Sequence, residues 1–278
     1  DTLVEPVEPN RWPSLSRPSP GRPASPPLVS RARGASAYAG DVPVFAELGS
    51  FFRASLLDPV RDDEAEPPRD VRRRRIVVGL TLALGAVALG FALGIQAGDP
   101  WFYPATLGVA AIWVIGAFAS GKLHLGRART RSGGSSYSVL QAFILGGMLL
   151  AVFLAGAVVV GRIDWLRAPV DTLLAHARFG SLPIVAAITA VNGVAEELFF
   201  RGALFAAISR RWRVVGSAGL YALATVFTGV PLLVLAAAAL GLLTGLQRRV
   251  TGGVLGPIVT HLTWSLGMLF LLPLALDA

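Results

Sequence analysis

Residues 182–204 have the sequence LPIVAAITAVNGVAEELFFRGAL, an apolar stretch interrupted by the adjacent acids Glu196 and Glu197. The stretch is long enough to cross a bilayer, because a helix needs roughly 20 residues to span the hydrocarbon core. An acid within that core costs about 2.5–3.5 kcal/mol on insertion scales, so such side chains usually face a cavity or a partner. The sequence therefore predicts a membrane helix that carries a polar site.

The composition of the whole chain agrees with a membrane protein. Of its 278 residues, 54% are hydrophobic and only 15% are charged, and the mean hydropathy is +0.62. These values exclude an ordinary soluble enzyme and a disordered protein. The chain has no cysteine, which excludes disulfides, iron–sulfur clusters and thiolate zinc sites.

Six further apolar runs lie on either side of this stretch. The seven predicted helices are residues 76–95, 101–120, 140–160, 182–204, 214–227, 231–246 and 254–276. Each run is close to the length that a membrane crossing needs, although the fifth and sixth are the shortest. We therefore expect an all-α fold, a polytopic membrane bundle of about seven transmembrane helices.

The N-terminal part has a different composition. Residues 1–75 contain 12 of the 19 prolines, 12 arginines and 11 acids, and no apolar run that could form a signal peptide. Such a segment cannot bury a core, so we expect a disordered Pro/Arg-rich cytoplasmic tail over 1–75 and a membrane domain over 76–278. Within the tail, residues 42–57 have apolar spacing that would suit a membrane surface.

The basic residues predict the orientation of the bundle. Those that would share one side are Arg72, Arg73, Arg74, Arg75, Lys122, Arg127, Arg129, Arg131, Arg210, Arg211, Arg213, Arg248 and Arg249. The positive-inside rule then places the N-terminus in the cytoplasm and Ala278 outside the plasma membrane. Residues 169–179 are expected to form a short interfacial helix on the outer side. Arginines in loops beside a bilayer are explained by topology and anionic lipid, so lipid is an expected partner and nucleic acid is not.

The two glutamates cannot share one role, because neighbouring residues on a helix point about 100° apart. Glu197 and Arg201 are four residues apart and can pair along one face, while Glu196 and Asn192 share an adjacent face. We expect Glu197 and Arg201 to be structural and Glu196 to face a site. The alternative is a helix end near the headgroups, where all of these side chains are solvated.

His261 is the second candidate for chemistry, and Ser265 lies one turn further along the same predicted helix. A lone histidine in an apolar helix is more often a packing residue than a ligand. Its predicted depth favours a function. His261 would lie roughly 12 Å from the cytoplasmic face of the membrane, and Glu196 would lie roughly 7–8 Å from the same face. A carboxylate beside a histidine can activate water with or without a metal.

The segment EELFFR at residues 196–201 resembles the EExxxR motif of the CPBP family, intramembrane metalloproteases that include CAAX prenyl proteases and bacteriocin-processing or immunity (Abi) proteins. His261 with Ser265 resembles the family's later HxxxN-type motif. The resemblance covers 76–278, most clearly 182–270, and residues 243–266 are similar to an actinobacterial branch.

The resemblance implies a bundle whose cavity opens to the cytoplasmic leaflet. Glu196 would be the general base, and Glu197 with Arg201 would fix the helix or contact substrate. His261 would bind a metal or orient the water. Family members cleave peptide bonds, so the implied substrate is a peptide or a membrane-anchored protein.

One motif departs from the family pattern. The middle motif FxxxH is best matched by residues 221–225, where Thr225 replaces the histidine. Zinc favours His, Cys and carboxylate ligands. Zinc or another divalent metal on His261 and Glu196 would therefore need further ligands. The candidates are Glu197, Asn192, Thr225, Ser265 and His124. His176 is predicted to lie on the outer side of the membrane.

The leading interpretation is an intramembrane metallopeptidase that cleaves a membrane-associated substrate with water activated by Glu196. The second is a non-proteolytic family member, a scaffold or immunity factor, which the missing histidine favours. The third is a transporter that couples protons or cations through buried carboxylates. A transporter should carry acids on several helices or an inverted repeat, whereas here the buried acids cluster on one predicted helix.

Overall fold

A computed structural model describes residues 44–59, 68–129, 135–136 and 139–278. Within this part, six helices are long and apolar enough to cross a membrane. Their lateral surfaces expose large apolar side chains such as Leu80, Phe91, Ile115 and Leu140. A surface of this kind suits lipid rather than water, and the protein is a multi-pass membrane protein with the predicted all-α fold.

The described elements follow one another along the chain as short and long helices. They are α1 (Val44–Phe52), α2 (Pro68–Leu93), α3 (Phe102–Ser120), α4 (Val139–Val160), α5 (Asp164–Phe179), α6 (Leu182–Glu197), α7 (Phe205–Ala207), α8 (Arg213–Thr225), α9 (Pro231–Thr251) and α10 (Leu255–Leu276). Arg53–Leu57 and Leu198–Leu204 are π-helical, and Arg210–Trp212 and Val226–Thr228 are 3₁₀ turns. The two-residue strands β1 (Ala128–Arg129) and β2 (Ser135–Ser136) pair antiparallel, with Ala128 opposite Ser136.

The seven predicted helices all have a counterpart, so the helix count is close to the expectation. Six of them are the candidate spans, and Leu182–Ala207 forms one span that joins α6, the π-helical turn and α7. The predicted fifth helix is α8, which has 13 residues and is too short to cross the hydrocarbon core alone. After it, Gly229 adopts a left-handed conformation with φ of 71° and turns the chain into α9.

The first long helix begins before residue 76, where the sequence predicted it to begin. Helix α2 begins at Pro68, a position where proline fits because the first helical turn needs no amide donor. Part of the predicted tail is also helical, since α1 and the π-helical turn cover residues 44–57. Arg249 donates to the Leu56 carbonyl at 3.2 Å and holds this segment beside the end of α9. The rest of the predicted tail lies outside the described residues.

The core is built around Trp113 on α3. Its ring stacks on Phe199 at 4.7 Å between centroids and lies 5.1 Å from Phe200. Gly85 on α2 makes room for the indole, because a Cβ there would lie 2.2 Å from the ring. This close approach fixes α2, α3 and the helix that carries the two glutamates against one another.

Contacts between distant segments define two ends of the bundle. At the arginine end, where α2 and α10 begin and α3 and α9 finish, the Val254 amide donates to the His124 carbonyl at 2.9 Å. At the α5 end, where α2 and α10 finish, Arg167 donates to the Leu276 carbonyl at 3.1 Å. The two ends of the bundle are called the arginine end and the α5 end.

Candidate active site

Glu197 is the centre of a buried network. One carboxylate oxygen, Oε1, accepts hydrogen bonds from Arg201 Nη1 at 3.0 Å and from His261 Nδ1 at 2.9 Å. Glu197 and Arg201 are both fully buried. The structure therefore has the predicted pair of Glu197 and Arg201, and it adds His261 to it.

The contact with Glu197 fixes the protonation of the His261 ring. An ionised carboxylate can only accept, so the proton of a neutral imidazole lies on Nδ1. The other nitrogen, Nε2, then carries a lone pair, and the His261 side chain lines a cavity. The ring packs against Gly193 on α6, where an added Cβ would be in ordinary contact with Nε2 at 3.7 Å.

Glu196 lies on the cavity wall instead of in the buried network. Its Oε2 accepts a hydrogen bond of 2.5 Å from the Tyr221 hydroxyl, and among the described residues no hydrogen bond engages Oε1. His261 does not bond to Glu196, although the sequence placed these two side chains in one pocket. Both line the same cavity, but the imidazole is held by the neighbouring glutamate.

The backbone widens directly after the two acids. The seven residues Leu198–Leu204 form a π-helical turn, a rare conformation that is often found at functional sites. A residue of another helix holds the turn in place, because Arg248 Nε on α9 donates to the Arg201 carbonyl at 2.9 Å. The backbone that carries Arg201 is thereby tied to α9.

The cavity has a volume of about 280 Å³ and lies in the half of the bundle nearer to α5. It extends from Glu196 and His261 to Phe102, Leu173 and His176. The resemblance implied a cavity that opens to the cytoplasmic leaflet, which the charge pattern assigns to the arginine end. The cavity instead extends toward the α5 end, because large aromatic side chains fill the arginine end.

Three of the other predicted residues also line the cavity, namely Asn192, Thr225 and Ser265. Asn192 donates to the Ile188 carbonyl at 3.0 Å and Thr225 to the Ala222 carbonyl at 2.8 Å, so both already use a donor within their own helices. The Ser265 hydroxyl is buried and has no hydrogen-bond partner among the described residues.

The two remaining histidines do not join Glu196. His124 is exposed on the loop after α3 and does not line the cavity. His176 lines the opposite end of the cavity, where its Nε2 donates to the Ile95 carbonyl at 2.9 Å. Neither side chain replaces the histidine that the middle motif lacks.

The donors around the cavity do not make a complete metal site. Over the described part of the chain, no group of three or more His, Cys, Asp or Glu side chains is arranged to hold a metal ion. Glu196 and the Nε2 of His261 are the two suitable donors, whereas zinc sites commonly use three or four protein ligands. Zinc therefore stays a prediction from the sequence, and no chemical step below passes through a metal.

Sequence reasoning missed two features of the site. Tyr221 was noted only as a match to the first position of FxxxH, yet its hydroxyl is the hydrogen-bond donor to Glu196. The sequence did contain a signal for this hydrogen bond, because position 221 is a tyrosine with a hydroxyl donor, whereas the motif has phenylalanine there. Helix α5 was predicted as an interfacial segment, but its Leu173 and Leu174 also line the cavity. The spacing of Val170, Leu174 and Ala177 indicated an apolar face.

Comparison with known proteins gives one match, over the C-terminal part of the chain. A family model described as type II CAAX prenyl endopeptidase Rce1-like matches residues 178–267. No curated protein and no solved structure matches the chain. The matched residues include Glu196, Glu197, Arg201, Tyr221 and His261, which are the side chains that meet at the inner end of the cavity. Residues 178–267 are thus similar to the type II CAAX prenyl endopeptidases, in agreement with the resemblance to the CPBP family.

Proposed function

We propose that the protein is an intramembrane peptidase that hydrolyses a membrane-associated peptide or protein with water activated by Glu196. The observation that carries the proposal is the shared cavity wall. Glu196 has a carboxylate oxygen there that makes no hydrogen bond among the described residues, and His261, whose Nε2 also makes none among them, lines the same cavity. A carboxylate and an imidazole on one wall are the usual groups for general acid–base chemistry.

The residues support a two-step hydrolysis. A water molecule donates one hydrogen bond to Nε2 of His261 and gives its other proton to Oε1 of Glu196 as its oxygen attacks the scissile carbonyl carbon. The new C–O bond produces a tetrahedral oxyanion. This intermediate collapses with cleavage of the C–N bond, and Glu196 returns its proton to the leaving nitrogen, which yields a carboxylic acid and an amine.

Glu197 and Arg201 act as positioning residues in this scheme. Glu197 holds the proton on Nδ1 of His261, which keeps the lone pair of Nε2 toward the water. Arg201 compensates the charge of Glu197 in a place without solvent. Such an orienting contact also fixes the rotation of the ring, so it affects catalysis without touching the substrate.

The location and orientation belong to the same proposal. The arginines flank the starts of α2 and α8 and the ends of α3 and α9, so the positive-inside rule supports a cytoplasmic arginine end. The described C-terminus at Ala278 is then outside the plasma membrane, and the lipid bilayer is a partner along the lateral surface.

A non-proteolytic role is the second candidate, and Thr225 favours it. The hydroxyl of Thr225 bonds within its own helix, and no imidazole occupies that part of the cavity. A family member without a third strong ligand would keep the fold and the network while acting as a scaffold or an immunity factor.

The decisive experiment compares Glu196→Gln with the native protein in proteoliposomes, using a library of membrane-anchored peptides and mass spectrometry to find cleaved bonds. Asp70→Asn is the matched control, because Asp70 is an exposed acid far from the cavity. Cleavage that only Glu196→Gln abolishes supports the proposal, and cleavage that survives in Glu196→Gln contradicts it. A folded native protein that cleaves no library peptide favours the non-proteolytic role. The zinc content of each sample is measured at the same time.

A further inference from the structure

We propose that the substrate enters from the α5 end, between α5 and the turn that contains Gly229, and that the part it buries is apolar and uncharged. This inference rests on the proposed peptidase function, since it assigns a route and a substrate class to the same site. Three features of the structure support it: the packing of the arginine end, a second cavity, and the charge of the cavity wall.

At the arginine end, packed aromatic side chains lie between the surface of the described residues and the two glutamates. Phe199, Phe200 and Phe205 are each at most 1% exposed and fill the space beyond the glutamates. Arg213 and Arg248 lie near the ring of Phe205, at 5.9 and 5.2 Å from its centroid. Aromatic rings packed in this way close that end with side chains that are expensive to displace.

A second cavity continues the first toward the α5 end. It has a volume of about 240 Å³ and is lined by Thr172 on α5 and by the turn residues Thr228, Gly229 and Val230. The two cavities share Leu93, Leu173 and His176 in their walls. Thr172 and Gly229 are exposed, so the second cavity reaches the surface of the bundle.

The partition between the two cavities consists of side chains. Leu93 and Leu173 can change rotamer without moving a helix. His176 is held by its hydrogen bond to the Ile95 carbonyl and by its contact with the ring of Phe102, 4.1 Å away between centroids. The proposed route therefore requires a rotation of the two leucines, which would join the cavities into one passage from the surface to Glu196.

The charge of the wall selects the substrate. Among the described residues, no lysine or arginine lines either cavity, and Glu196 is the one acid in the walls. A free carboxylate buried there would lie near the carboxylate of Glu196, and no cation in the described cavity walls would pair with it, which is costly in an apolar site. The segment that enters is therefore an internal stretch or a blocked chain end with apolar side chains.

The absence of cysteine from the chain makes the route measurable. Single variants Ser265→Cys in the first cavity, Thr172→Cys in the second and Ser209→Cys on the exposed arginine end are reconstituted in oriented vesicles. A membrane-impermeant methanethiosulfonate reagent is added from either face. Thr172→Cys and Ser209→Cys report which face of the vesicle is the α5 end and which is the arginine end. We expect the reagent to modify Ser265→Cys at least about tenfold faster when it is added at the face where Thr172→Cys reacts than at the face where Ser209→Cys reacts. Preferential reaction from the Ser209→Cys face, or reaction from neither face, overturns the route.

A plug in the second cavity provides a second readout. Val230→Trp combined with Ser265→Cys should slow the modification by about tenfold or more. Val226→Trp is the matched control, because Val226 is exposed on the same turn and lines neither cavity. Equal rates with the two tryptophan variants would contradict the route.

The substrate class is tested by protection. N-acetyl-tetraleucine amide should slow the modification of Ser265→Cys, and the same peptide with a free C-terminal carboxylate should not. Equal protection by both peptides, or protection by neither, overturns the assigned class. None of these measurements needs cleavage, so the route can stand if the peptidase function fails, and a working peptidase can still lack this route.

Discussion

Two adjacent acids of one helix lie in two different regions of this protein. Glu197 belongs to the buried network with Arg201 and His261, where the fully buried guanidinium of Arg201 compensates its charge. Glu196 belongs to the cavity wall with Tyr221, Thr225 and Ser265, where one of its oxygens stays available. A rotation of about 100° between neighbouring helical residues separates the two environments.

The difference shows how the chain divides stability from chemistry. The buried network depends on charges that must stay paired, because an isolated buried charge is strongly destabilising. The proposed chemistry at the cavity wall depends on a group that can take and return a proton. Variants at Glu196 should therefore change mainly the activity, whereas variants at Glu197 should mainly lower the stability of the fold.

The largest expected effect is the loss of activity in Glu196→Gln. The amide keeps the shape of the side chain but cannot accept a proton, so cleavage should fall by about 10²–10⁴-fold, the usual contribution of a general base. The temperature of unfolding in detergent should remain close to that of the native protein. A large drop in that temperature would show that Glu196 is part of the structural network. The distinction between Glu196 on the cavity wall and Glu197 in the buried network would then be wrong.

The next effect is the loss of stability in Glu197→Gln. Removing this charge leaves Arg201 buried without a counter-charge, so we expect the free energy of unfolding to fall by about 3–5 kcal/mol. Denaturant unfolding of the detergent-solubilised protein measures it.

The double variant Glu197→Leu with Arg201→Met is the control for this effect. It replaces the buried pair with apolar side chains of similar size and should recover most of the lost stability. Equal losses in Glu197→Gln and in the double variant would mean that packing, and not charge pairing, sets the stability of this region.

A smaller effect is expected in Tyr221→Phe, which removes the hydrogen bond to Glu196. A hydrogen bond to a charged group contributes about 1.5–3 kcal/mol, so activity should change by roughly tenfold or more. Tyr103→Phe is the matched control, because the Tyr103 hydroxyl accepts from the Ser181 amide at the α5 end. Equal activities of the two phenylalanine variants would remove Tyr221 from the working part of the cavity wall.

The smallest change in activity is expected in Thr225→His, whose main effect is on metal affinity. An imidazole at this position would add a third nitrogen or oxygen ligand beside Glu196 and His261, so the bound zinc should rise toward one ion per chain. Thr228→His is the control, since Thr228 lines only the second cavity. Zinc that binds equally to both variants would show that the added ligand does not meet the other two.

The sequence predicted the spans and part of the site because both depend on local patterns. Apolar runs determine membrane helices, and a spacing of four residues brings Glu197 to Arg201 on one helix. The depths of Glu196 and His261 follow from the helical rise, which brings both side chains to one cavity.

The features that the sequence did not predict depend on packing between helices. The choice of Glu197 over Glu196 as the partner of His261 follows from the way in which α10 packs against α6. The direction of the cavity follows from the way in which Phe199 and Phe200 fill one end around Trp113. Hydropathy and spacing along one helix contain neither kind of information.

The pair of Glu197 and Arg201 also has a consequence for biogenesis. The two residues lie on one helix, whereas His261 follows Glu197 by 64 positions. A chain is synthesised from its N-terminus, so the helix with the glutamates can enter the bilayer before α10 exists. The internal ion pair lowers the charge that this helix must carry into lipid, and the imidazole joins a carboxylate that is already neutralised. The proposed hydrolytic centre is then incomplete throughout insertion and assembles only when α10 packs against α6.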